Sequence, residues 1–243
     1  MSEKQFLISG TPLLKFQTRE RIEQLQSGKI YMKSLHWYRE FAKNSPVIGD
    51  DYEAMLHINQ ATMLVADPES GQPIAHQQID DGLISTIHSN DYVFCMFGIN
   101  PHSAQFVFTD EQKNDMQSFG DTVLIITDSD EFHRRIKAAL ISTNLPLADV
   151  HCGFISYYDE SIDSVNVFCS LINGMHNVAF QKRNKYAYQQ EYRFLLPNNG
   201  RTEDFFELQI GDISDISEII TSQQALEAII QRHEQEEQDN GQA

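Results

Sequence analysis

The run Tyr92-Val-Phe-Cys-Met-Phe-Gly98 is apolar at almost every position. Successive strand residues point to opposite faces, so a strand that is apolar on both faces needs cover on both. The run therefore predicts a central strand in a sheet packed on its two sides. Shorter stretches at 11–17, 30–35, 63–65, 121–127, 150–158 and 205–210 also have strand length. Turn-like chemistry marks 44–51 and 67–71. Helical spacing follows Thr18 (Ile22 and Leu25 inward, Gly28 beyond the end) and Asp128 (Phe132, Ile136, Ala139, Leu140). A last helix starts at Thr221 or Ser222 and runs through Leu226, Ile229 and Ile230. The opening strand–helix–strand fits either a βαβ unit or a helix laid across antiparallel strands. The pattern predicts one α+β domain over 1–233, mostly antiparallel sheet, and a disordered acidic tail at 234–243.

A chain of 243 residues with 41% hydrophobic residues can bury a core without covalent help. Its three cysteines, Cys95, Cys152 and Cys169, are odd in number and far apart. That is the pattern of reduced thiols in a cytoplasmic protein. No apolar run reaches the ~18 residues of a membrane span, and no secretion signal is evident. The formal charge of −17 disfavours nucleic acid as a partner. A local basic patch around Lys182, Arg183 and Lys185 is the exception the sequence allows, and an acidic surface that mimics nucleic acid is another.

The nine histidines lack metal-ligand spacing, so no metal is expected. Asp50, Asp51 and Glu53 read as an acidic turn before they read as a cation site. Gly-rich phosphate loops and a nucleophile elbow are missing. What remains is carboxylate chemistry on a strand. Tyr186 to Leu196 reads as one strand, with Gln189, Glu191 and Arg193 on a common face. Glu191 with Arg193 makes a structural ion pair or a catalytic carboxylate. A Gln two residues before a Glu could orient an acceptor while the Glu stabilises a sugar cation.

The order of pieces adds a resemblance. Leu14-Lys-Phe-Gln-Thr18, a helix, Gly28-Lys-Ile-Tyr-Met-Lys-Ser34, Gly49-Asp-Asp-Tyr-Glu53, and the closing Lys182–Lys185 with Gln189-Gln-Glu-Tyr-Arg193 resemble a bacterial family of unknown function. Its members open near Tyr-Lys-Tyr-Arg-Ser, pass Asn-Asp-Pro-Phe-Glu and close on Glu-x-Glu-Tyr-Arg. The match covers about residues 12–53 and 178–212. That family in turn looks like the ADP-ribosyltransferase fold. The resemblance implies an ADP-ribosyltransferase-like core, Gln17 or Lys15 at a first position, Ser34 or Tyr38 at a second, and Gln189 with Glu191 at a third. The Arg or His that normally anchors the dinucleotide is missing from the first strand. Arg19, Arg21 or Arg39 would have to supply that contact.

Two functions are expected from these readings. One is a partner-binding protein, in phage–host or mobile-element conflict, that engages a protein or a small nucleotide. The other is an NAD-dependent mono-ADP-ribosyltransferase. In the second, Glu191 and Gln189 are catalytic, and Gln17, Ser34, Tyr38, Arg39, Tyr186 and Arg193 contact NAD.

Overall fold

The computed structural model describes residues 12–45, 47–58, 61–67, 69–70, 72–79, 83–86, 90–98, 108–143, 147–159 and 175–229. The expected acidic tail, Ile230, Cys169, His88, His102 and His233 lie outside them. The first part contains β1 (Leu13–Gln17), α1 (Arg19–Gln26), β2 (Lys29–Ser34) and α2 (Leu35–Phe41). Four strands follow: β3 (Met55–Ile58), β4 (Ala61–Ala66), β5 (Pro73–Ile79) and β6 (Leu83–Thr86). Next come β7 (Tyr92–Gly98), α3 (Asp110–Ser118), β8 (Thr122–Ile126), α4 (Ser129–Ser142), β9 (His151–Phe154) and β10 (Ser156–Tyr158). The chain then forms β11 (Gln181–Arg183), β12 (Glu191–Leu196), β13 (Phe205–Gln209) and β14 (Ser217–Thr221), and α5 over residues 222–229. This is an α+β fold, and the ladders of its main sheet are all antiparallel. No helix among the described residues is long and apolar enough to cross a membrane.

Among the described residues, eight strands form the main sheet, in the order β13-β2-β7-β1-β8-β14, with β12 on β7 and β9 on β12. The expected central strand is β7. Its Tyr92, Phe94 and Met96 join the core cluster that contains Phe132, Ile136 and Leu140 of α4. Phe97 joins a second cluster with Met116 of α3 and Leu226 and Ile229 of α5. Both faces are covered, as a doubly apolar strand requires.

One edge of β7 is shared. β2 pairs with its beginning, at Tyr92 and Val93. β1 pairs with its end, at Phe97 and Gly98. Both are antiparallel to β7, hence parallel to each other, and α1 links the end of β1 to the start of β2. β1 and β2 do not pair with each other, and α1 packs against β1, β2 and β8, so the second expected arrangement, a helix laid across antiparallel strands, is the one formed. Between the two ladders the sheet forks, and Phe94, Cys95 and Met96 have no strand partner on that edge among the described residues. A buried carbonyl must find a donor, and Lys15 Nζ donates to the Cys95 carbonyl at 2.6 Å.

Two glycines hold the base of the fork. Gly28 has φ 96°, and a Cβ there would lie 2.1 Å from the Gly211 carbonyl oxygen. Gly120 has φ 151°, and a Cβ there would lie 2.1 Å from the Gln17 carbonyl carbon. Both positions need glycine for conformation and for space. Several elements have no counterpart in the sequence pattern, among them α2, β3, β5, β6, β11, α3 and β14. α3 buries only Met116, so it shows no apolar stripe; its signal is the capping box of Thr109 and Gln112. β14 is a short edge strand on β8.

Candidate functional site

The segment read as one long strand is two structures. Asn184–Gln189 is a 3₁₀ helix, and only Glu191–Leu196 is strand. The joint is Gln190, in the left-handed region at φ 40° and ψ 49°. The alternation argument fails there because the 3₁₀ turn buries the neighbours Tyr188 and Gln189 alike. The Glu191 N–H donates to Tyr157 Oη at 2.9 Å, which pins the start of β12. The expected proximity survives by another route. Lys182 Nζ donates to Gln189 Oε1 at 3.0 Å and to Glu191 Oε1, so one ammonium gathers both side chains.

Beyond the joint the alternation holds. Arg193 Nη2 reaches Glu191 Oε2 at 3.0 Å, and Nη1 reaches Glu53 Oε1 at 2.6 Å. Lys182 also stands 3.8 Å from Glu53 Oε2. Arg193, Lys182, Glu53 and Glu191 are all buried. Burial alone would push the Glu191 carboxyl up; Lys182 and Arg193 outweigh it and hold the group well below the ordinary carboxylate range. Burial likewise opposes charge on Lys182, and Glu191 and Glu53 override it upward. The four groups are mutually dependent ions: removing one leaves another charged and sealed from water.

A cavity of about 110 Å³ borders this network. Lys15, Gln17, Tyr38, Cys95, Gln189, Glu191 and Arg193 are among the residues that line it. Lys15 adds a third cation to the two of the network, against two carboxylates. Among the described residues no carboxylate lies within ion-pair distance of Lys15, and burial lowers the pKa of its ammonium. Arg193 Nε is buried and has no hydrogen-bond partner among the described residues. Burial also raises the Tyr38 hydroxyl well above its usual range and the Cys95 thiol to about 11, so neither ionises near neutral pH.

The other expected residues are distributed as follows. Gln17 and Tyr38 reach the cavity. Ser34 does not: it is buried, and its hydroxyl accepts from the Trp37 N–H as the N-cap of α2. Arg39 Nη1 donates to the Glu53 carbonyl at 2.9 Å, on the outer side of the network. Tyr186 lies beneath the cations Lys182, Arg183 and Lys185 and does not line the cavity. The basic patch that the sequence allows at Lys182–Lys185 does not form, because Lys182 and Arg183 are buried. Arg183 pairs with Asp50 at 2.8 Å and Asp51 at 2.7 Å. Those aspartates, read as a turn, are thus also counter-ions for a residue 132 and 133 positions away. Glu53 is the residue that sequence reasoning underused. Its signal was its place at the end of the Gly49–Glu53 motif. No group of three or more His, Cys, Asp and Glu side chains that could hold a metal occurs among the described residues. His133 is buried on α4, hydrogen-bonded to the Ser129 carbonyl and to Tyr192 Oη.

No family model, curated protein or solved structure matches the chain.

Proposed function

We propose that this chain is a binding protein for a small anionic ligand, of the nucleotide class, whose charged group enters the cavity beside Lys15. The support is one observation. Among the described residues, three cations and two carboxylates line one cavity, and one cation, Lys15, meets a backbone carbonyl and the Phe94 ring with no carboxylate at ion-pair distance. An anion there would neutralise the surplus charge and could accept from Arg193 Nε. The cavity is small beside the roughly 300–1,000 Å³ of common ligand pockets, so it suits an end group, with the remainder of the ligand outside.

A second reading, NAD-dependent ADP-ribosyl transfer on an ADP-ribosyltransferase-like core, draws on a specific observation. Gln17, Tyr38, Gln189 and Glu191, expected from the resemblance, and Arg193, expected as an NAD contact, line the same cavity. It ranks second on electrostatic grounds. A carboxylate that stabilises a sugar cation needs negative potential, and both Glu191 oxygens are engaged by cations.

A melting scan with inorganic phosphate, AMP, ADP-ribose, NAD and nicotinamide separates the readings. A ligand at ~100 times its dissociation constant adds about 2.7 kcal/mol, roughly 5–11 °C for a chain of this size. The anions should raise Tm and neutral nicotinamide should not. Lys15→Met should abolish the response. NAD turnover that disappears in Glu191→Gln would establish the second reading instead, and a flat scan would remove the first.

A further inference from the structure

On the α1 side of the fork lies a groove of about 310 Å³. It shares Lys15, Gln17, Tyr38 and Ile48 with the central cavity but has a different chemistry. Arg21, Lys29 and Lys33 line it together with Lys15, and none of its lining residues among the described ones is acidic. This occurs in a chain with 35 acidic and 18 basic residues. Strand alternation creates it: on β2, Ile30, Met32 and Ser34 turn inward, and Lys29, Tyr31 and Lys33 turn outward.

Aromatic rings stand among these cations. Lys33 Nζ lies 4.9 Å from the Trp37 ring and 5.4 Å from that of Tyr31. The Arg21 guanidinium lies 5.0 Å from Tyr31. Tyr31 stacks on Phe205 of the neighbouring strand, which is 43% exposed. Lys29 is paired with Glu207 at 2.8 Å. For Arg21 and Lys33 no carboxylate lies within ion-pair distance among the described residues, so their only charged-group contacts are with ring faces, which hold a cation weakly.

We infer that this groove binds a short single-stranded segment of nucleic acid, its phosphates on Arg21 and Lys33 and its bases against Trp37, Tyr31 and Phe205. Basic side chains interleaved with aromatic rings on an open sheet surface are the chemistry that single strands require. The negative charge of the whole chain does not forbid this, because charges beyond about 8–10 Å are screened at physiological salt. Both flexible cations can move from a ring face to a phosphate and so free the ring for a base.

The test is fluorescence anisotropy of a short labelled oligodeoxyadenylate with the full chain, read together with the emission of Trp37, the single tryptophan. The wild type should bind at low salt with a change in Trp37 emission. Arg21→Gln/Lys33→Gln should weaken binding at least about tenfold and flatten the slope of log K against log salt by about 1.4, or ~0.7 per phosphate lost. Arg21 is exposed and Lys33 half-buried, so the pair can be replaced without opening the core. Should the double variant melt early, Arg21→Gln alone carries the test, with a slope change of ~0.7. Absence of binding at low salt, unchanged affinity in the variants, or binding without a Trp37 response would overturn the proposal. Equal displacement by ATP at matched concentration would also overturn it, in favour of a free nucleotide.

Discussion

Glu53 and Arg193 meet at 2.6 Å with 2% and 1% of their side chains exposed, although 140 residues separate them. This pair joins the turn after α2 to the strand that carries Glu191, and it closes one wall of the cavity. Breaking a buried pair on one side costs about 3–5 kcal/mol, because the surviving charge is stranded. Glu53→Ala should therefore lower the urea-unfolding free energy by about that amount. The double variant Glu53→Met/Arg193→Met should recover part of the loss. A cost below ~1 kcal/mol for Glu53→Ala would show that the network is wetter than described.

His133 is held below its ordinary value of 6.5, chiefly by burial. The folded state favours neutral imidazole, so the unfolded chain takes up a proton first as pH falls. This contribution is complete above about 6.5 and is lost as pH drops through the folded value. Glu191 acts in a lower window, complete above the ordinary 4.5 and lost toward about 2. Unfolding free energy measured from pH 8 to pH 3 should decline first below about 6.5, and His133→Gln should remove that first decline. An unchanged profile in the variant would contradict the assignment.

Much of the fold could be read from short-range pattern. β7, β8, α1 and α4 follow from apolar runs and helical spacing, and Asp128 does cap α4 by accepting from the Glu131 N–H. The α+β class with mostly antiparallel sheet follows from the same elements. Alternation could not foresee the left-handed Gln190, where the chain turns from 3₁₀ helix to strand. Nor could it pair Glu53 with Arg193 or place Lys15 under Cys95, since these depend on which strands flank β7. The site residues were legible as types, and their neighbours were set by topology.

Burial raises the Cys95 thiol to about 11 and also raises that of Cys152. Thiolate is the reactive form, so alkylation of the native protein at pH 7.5, mapped by mass spectrometry, should spare both residues until denaturant is added. Rapid modification of Cys95 in the folded chain would place it in an open site.

Gly120→Ala should displace the end of β1, because its Cβ would fall on the Gln17 carbonyl carbon. The expected loss exceeds the ~1 kcal/mol typical of a strained glycine replacement. Ligand response should fall with it, since Gln17 lines the cavity. Normal stability and ligand response in this variant would show that the β1 end is not held there.

The most direct measurement is calorimetric titration of AMP and ADP-ribose into wild type and Lys15→Met. One ligand should bind the wild type at a single site. Lys15→Met, which removes the surplus cation and leaves the Glu53–Arg193 pair in place, should weaken binding at least about tenfold, or ~1.4 kcal/mol. Equal affinity in the two proteins, or no heat with the wild type, would contradict an anion site at the fork of the sheet.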